Sequence, residues 1–113
     1  MDFKQFTASL GDFILGTQIL KENLSLILKQ KAASLDDFVS SDSFLETFGK
    51  ETQEELKDLV EEKNYFLQDV ASTFMDLDDF EESKPFENAC HRILEAKKKL
   101  YSLNRAIVSK LPD

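Results

Sequence analysis

Between residues 2 and about 31, Phe3, Phe6, Leu10, Phe13, Thr17, Leu20, Leu24 and Ile27 alternate in three- and four-residue steps. That spacing marks one face of an α-helix packed in coiled-coil fashion. Gly11 and Gly16 interrupt the helix chemically, each costing about 1 kcal/mol against alanine. The phase of the stripe continues across both, so one helix is predicted.

A second segment opens at Ser34-Leu-Asp-Asp37, which resembles a capping box with Asp in the place of Glu. It carries Phe38, Val39, Phe44, Leu45 and Phe48 and stops at Gly49, a natural residue just beyond a helix C-terminus. The polar run at 40–43 divides it. A short helix near 35–40 with another near 43–48 is as reasonable as a single one.

The third segment begins with Thr52-Gln-Glu-Glu55, a capping box in its usual form. Leu56, Val60, Lys63, Leu67, Val70, Phe74 and Leu77 define its apolar face, with Leu59 and Phe66 beside it. A helix of about 25 residues here would be roughly 37 Å long. After an acidic loop at 76–84, Pro85 suits the first turn of a last helix that runs to about Lys110. Phe86, Ile93, Leu100 and Ile107 recur in heptads, supported by Ala89, Ala96, Leu103 and Leu111. These periodicities predict one all-α domain over 1–113: an antiparallel helical bundle of three long amphipathic helices and one short helical segment.

Composition refines this picture in two ways. Ten Phe with three Gly and two Pro suit a packed helical core and leave little material for tight turns. They also exceed what a slim bundle easily hides, so some rings are expected to meet a partner. Phe38, Phe44 and Phe48, in the divided second segment, are the first candidates. The acidic Asp78-Asp79-Phe80 is the second, since it resembles a short docking motif. The first and third helices also carry apolar faces wider than a two-position seam (Phe13-Ile14, Leu59-Val60, Phe66-Leu67), which points to a homodimer or a protein partner.

The net charge of −8 is uneven: +1 over 1–31, −4 over 32–49, −8 over 50–84 and +3 over 85–113. The acidic third helix and basic fourth are therefore expected side by side. No concentrated basic surface is present, so nucleic acid is not an expected partner. Anionic membrane is disfavoured for the same reason. The single cysteine, Cys90, suggests a reducing, cytoplasmic setting, and no secretory leader is evident.

Catalytic and cofactor chemistry find no support. Cys90 and His91 are adjacent on a helix, where side chains do not converge, and no further soft ligands accompany them for a metal. Residues 76–87 carry Asp76, Asp78 and Glu87 at calcium-loop spacing, but Phe80 and Glu81 stand where an oxygen ligand and the turn glycine belong. Polar residues do punctuate the apolar seams, at Thr17, Lys63, Lys97 and Asn104. Such positions set register or partner choice at a cost in stability. The expected function is therefore a non-catalytic protein–protein interaction module, an adaptor or a small subunit of a larger helical assembly. A small acidic chaperone for secretion or assembly clients is the alternative. A membrane-surface module using Phe3, Phe6, Leu10 and Phe13 is the third.

Overall fold

The computed structural model describes residues 2–70 and 84–111. Among them the chain is all-α. Helix α1 spans Phe3–Leu28 without a break, so neither glycine ends it. Asp2 caps it reciprocally: its carboxylate accepts from the Gln5 N–H at 2.7 Å, and the Gln5 side-chain oxygen accepts from the Asp2 N–H at 3.0 Å. Lys29 closes the other end in the left-handed conformation, φ 53°. A 3₁₀ turn, Leu35–Phe38, follows, and then a short helix α2, Asp42–Phe48. The segment expected as one helix or two is thus two, divided at its serines. The Asp37 carboxylate accepts from the Ala33 and Ser34 N–H groups, and the Ser41 hydroxyl accepts from the Phe44 N–H.

Helix α3, Lys50–Asn64, starts immediately after α2. Gly49 serves as the end of one and the beginning of the other. Its φ of +91° is open to glycine and strained for any other residue, and it lets the chain reverse without a loop. The start expected at Thr52 is therefore too late. From Tyr65 to Val70 the helix widens into a π-helical turn. Helix α4 spans Lys84–Val108.

Neighbouring side chains give the topology. Phe66 packs on Phe6 and Phe13 with centroids 6.4 and 5.8 Å apart, so the end of α3 meets the start of α1 and the two are antiparallel. Phe86 packs on Phe6 at 5.5 Å, Lys97 meets Asp12, and Leu100 lies against Gly16. These contacts advance together along both helices, so α1 and α4 run parallel. The bundle is up, down, up.

Its core consists of the heptad residues of α1 and α4 with Leu56, Leu59, Val60 and Phe66 of α3. On α3 the buried ring is Phe66, while Leu67 is exposed. Phe66 fills the space between two other rings, and Lys63, expected on the seam, is drawn to the edge by Asp36 at 2.6 Å. The 3₁₀ turn and α2 form a lid over α1 and α3, burying Leu35, Phe38 and Phe44 completely or nearly so.

Candidate functional site

The polar residues that interrupt the seams separate by how the fold answers them. The Thr17 hydroxyl donates to the Ile14 carbonyl at 2.7 Å. Lys63 binds Asp36, to which the Asn64 amide also donates. Lys97 lies 3.8 Å from Asp12. Asn104 is different: its side-chain oxygen is shut off from solvent and accepts no hydrogen bond. Leaving such a group unsatisfied costs about 1–3 kcal/mol.

Asn104 lies on the seam between α1 and α4. There a groove of about 380 Å³ is lined by Leu15, Gly16 and Ile19 on one side and Leu100, Tyr101 and Asn104 on the other, with Asp12 at one end. Gly16 forms part of the floor because Leu100 occupies the space above it: a Cβ there would collide with the Leu100 Cδ2. The walls are apolar and wet. Leu15 is 60% exposed, Ile19 47% and Tyr101 60%.

Local periodicity explains why these side chains share one face. Ala8, Asp12, Leu15, Ile19, Glu22 and Leu26 step by four and three residues along α1. Cys90, Leu94, Lys97, Tyr101, Asn104 and Val108 do the same along α4. Each helix therefore carries a second heptad stripe beside the one that builds the core, and the two flank the same seam. In a bundle such paired stripes are the surface on which another helix packs.

The other two seams are bridged differently. The lid covers α1 against α3. Between α3 and α4, Arg92 donates to both Glu62 oxygens at 3.0 and 3.1 Å, and its guanidinium lies 3.5 Å from the centre of the Tyr65 ring. Further along that seam Glu55 and Asp58 of α3 and Lys98, Lys99 and Ser102 of α4 line a polar-edged cleft of about 340 Å³. The expected pairing of acidic and basic helices is thus present.

The residues singled out from the sequence lie elsewhere. Phe38 and Phe44 are fully buried, and Phe48 is half-buried with its ring 4.8 Å from that of Phe44. They cover the bundle and offer little to a partner in this arrangement. Asp78, Asp79 and Phe80, and with them most of the calcium-loop spacing, lie outside the described residues. The surplus of Phe is largely absorbed: Phe6, Phe13, Phe38, Phe44, Phe66 and Phe86 are all in the core. Of the N-terminal stripe, Phe6 and Phe13 are in the core and Phe3 is 40% exposed. Among the described residues no helix is long and apolar enough to cross a membrane, and no cluster of side chains could hold a metal ion. Cys90 is half-buried, and burial pushes its thiol pKa up, away from the reactive thiolate.

Sequence reading missed the groove because Leu15, Ile19 and Tyr101 look like surplus width on helices already supplied with a core face. The four-three spacing of that surplus was the available signal. No family model, curated protein or solved structure matches this chain.

Proposed function

We propose that this protein is a non-catalytic interaction module whose working surface is the groove between α1 and α4, and that it receives an amphipathic protein helix there. One observation carries the reading: two solvent-exposed heptad stripes flank a seam whose Asn104 oxygen is buried without a donor. A helix laid along the groove would remove Leu15, Ile19 and Tyr101 from water. At about 25 cal/mol per Å² of apolar surface, that is the driving force such recognition uses. The chaperone alternative would use the same groove with a transient client, and nothing separate favours it.

A photo-crosslinking residue placed at Ile19 tests this in cells. It should trap a protein, whether another chain or another copy of this one. The same residue at Glu61, exposed on α3, should trap markedly less. Equal yields at the two positions would sink the reading.

A further inference from the structure

We infer that Gly49 is a two-position hinge: when it turns helical, α2 and α3 join into one helix, and two copies of this chain exchange residues 2–48. The exchanged unit is α1, the 3₁₀ turn and α2. Exchange is independent of what occupies the α1–α4 groove.

A single residue separates the two helices, since α2 ends at Phe48 and α3 begins at Lys50. Gly49 stands between them with φ +91° and ψ 167°, a region of backbone space essentially reserved for glycine. The whole change of direction between lid and bundle is concentrated there. A connection this short has no slack, and short hinges favour the exchange of elements between copies.

The flanking residues suit an uninterrupted helix. No proline lies between 42 and 64. At roughly 100° per residue, Leu45, Phe48, Thr52, Leu56 and Leu59 fall within about 80° of one another on a helix that runs through Gly49. Leu56 and Leu59 of that stripe are already in the core, whereas Leu45 is 40% exposed and Phe48 half-buried. Joining the helices also makes Glu46 and Lys50 an i, i+4 pair with the carboxylate on the N-terminal side, the favourable order. Among the described residues neither of them meets an opposite charge in the observed arrangement.

Straightening Gly49 within one chain would carry the lid off the α1–α3 seam, where Leu35, Phe38 and Phe44 are buried. Exchange avoids that loss. Residues 2–48 meet the rest of the bundle through contacts such as Phe6 and Phe13 on Phe66, Gly16 on Leu100 and Asp36 with Lys63. Each forms equally well between two chains, because only the connection at residue 49 is rerouted. The swapped pair thus keeps the core of both bundles and trades two reversals for two helical continuations. Against it stands the entropy of bringing two chains together, so the closed single chain is the dilute form.

The Asp36–Lys63 ion pair, 2.6 Å long, reports whose lid covers which bundle. Isotopically heavy and light chains are unfolded together in urea, refolded at high protein concentration and treated with a carbodiimide, which joins a carboxylate to an adjacent amine. The dimer fraction should yield Asp36–Lys63 cross-linked peptides with one heavy and one light half. Light scattering should give it twice the 13.0 kDa of the single chain. Because release requires both bundles to open, this dimer should persist after dilution. Gly49→Ala disfavours the observed φ and favours the helix, so it should tighten dimerisation about a hundredfold, two hinges changing per dimer. Inserting Gly-Gly-Ser after Gly49 should nearly abolish it. Circular dichroism checks that each variant is helical and folded. A folded but monomeric Gly49→Ala, or a dimer whose Asp36–Lys63 cross-links all lie within one chain, would overturn the exchange. If Gly49→Ala does not fold, the wild-type refolding decides alone, and the absence of heavy–light cross-links overturns the exchange in the same way.

Discussion

The three seams of this bundle are finished in three different ways. Between α1 and α3 the chain doubles back and seals the surface with Leu35, Phe38 and Phe44. Between α3 and α4 it uses a bidentate Arg92–Glu62 pair stacked on Tyr65. Between α1 and α4 it leaves Leu15, Ile19 and Tyr101 in water and an Asn oxygen without a donor. The same chain that covers or clamps the other seams bridges this one with the long Lys97–Asp12 pair at 3.8 Å. The contrast separates residues that hold the fold from residues the fold can do without.

The sharpest way to break that contrast is truncation on both sides of it. Phe38→Ala or Phe44→Ala should cost about 3–5 kcal/mol, as expected for a fully buried ring, a large share of the roughly 5–15 kcal/mol available to a domain. Leu15→Ala should change stability of the isolated chain by no more than about 0.5 kcal/mol. Urea unfolding at low protein concentration measures both. Comparable losses would mean that the groove is part of the core.

Asn104→Leu addresses the floor of the groove. Replacing an unsatisfied buried amide by an apolar side chain of similar size should stabilise the isolated chain by about 1–2 kcal/mol, read as a rise in the urea midpoint. A loss of stability would show that the amide is already satisfied.

The two glycines of α1 sharpen the same comparison. Gly16→Ala would push into Leu100 and should cost about 1 kcal/mol net, the strain exceeding the gain in helix propensity. A Cβ at Gly11 would meet no atom within 4 Å, so Gly11→Ala should stabilise by about 0.5–1 kcal/mol. Opposite signs in paired thermal melts are the expected result.

The smallest effect lies at the lid. The Asp36 carboxyl is held below its ordinary value of 3.8, first by the hydrogen bond from Lys63, with burial opposing. Because the folded pKa is the lower one, the contribution is complete above that ordinary value. It is lost as pH falls through the depressed one. The side chain is 44% exposed, and solvent screening holds the contribution below about 1 kcal/mol. Asp36→Asn should therefore flatten the acid limb of stability against pH slightly and leave neutral pH little changed.

How much of this was legible depends on how many partners each feature needs. The cores of α1 and α4 were readable because large apolar residues repeat in register along a single helix. The serines raised a division of the lid as one of two readings, and the opposite charges of α3 and α4 made their pairing readable. The start of α3 was not: Thr52 to Glu55 has the composition of a cap, but the chain had already turned at Gly49 through a positive φ that no periodicity reveals. Nor could the sequence say that Phe38 and Phe44 point inward while Leu15 and Tyr101 point out. On α1, Phe13 and Leu15 are two residues apart on a broadly apolar helix. Which one is buried is decided by where α4 and the lid come to rest, a property of the assembled bundle.

The placement of the two tyrosines has a consequence for observing the protein. There is no tryptophan, so the near-ultraviolet spectrum depends chiefly on Tyr65 and Tyr101. One ring is held beneath the Arg92 guanidinium at the α3–α4 seam; the other stands in water on the wall of the open groove. Occupation of the groove should shift the absorption and emission of Tyr101 while leaving those of Tyr65 in place. The unlabelled chain therefore carries its own optical indicator of whether that surface is covered.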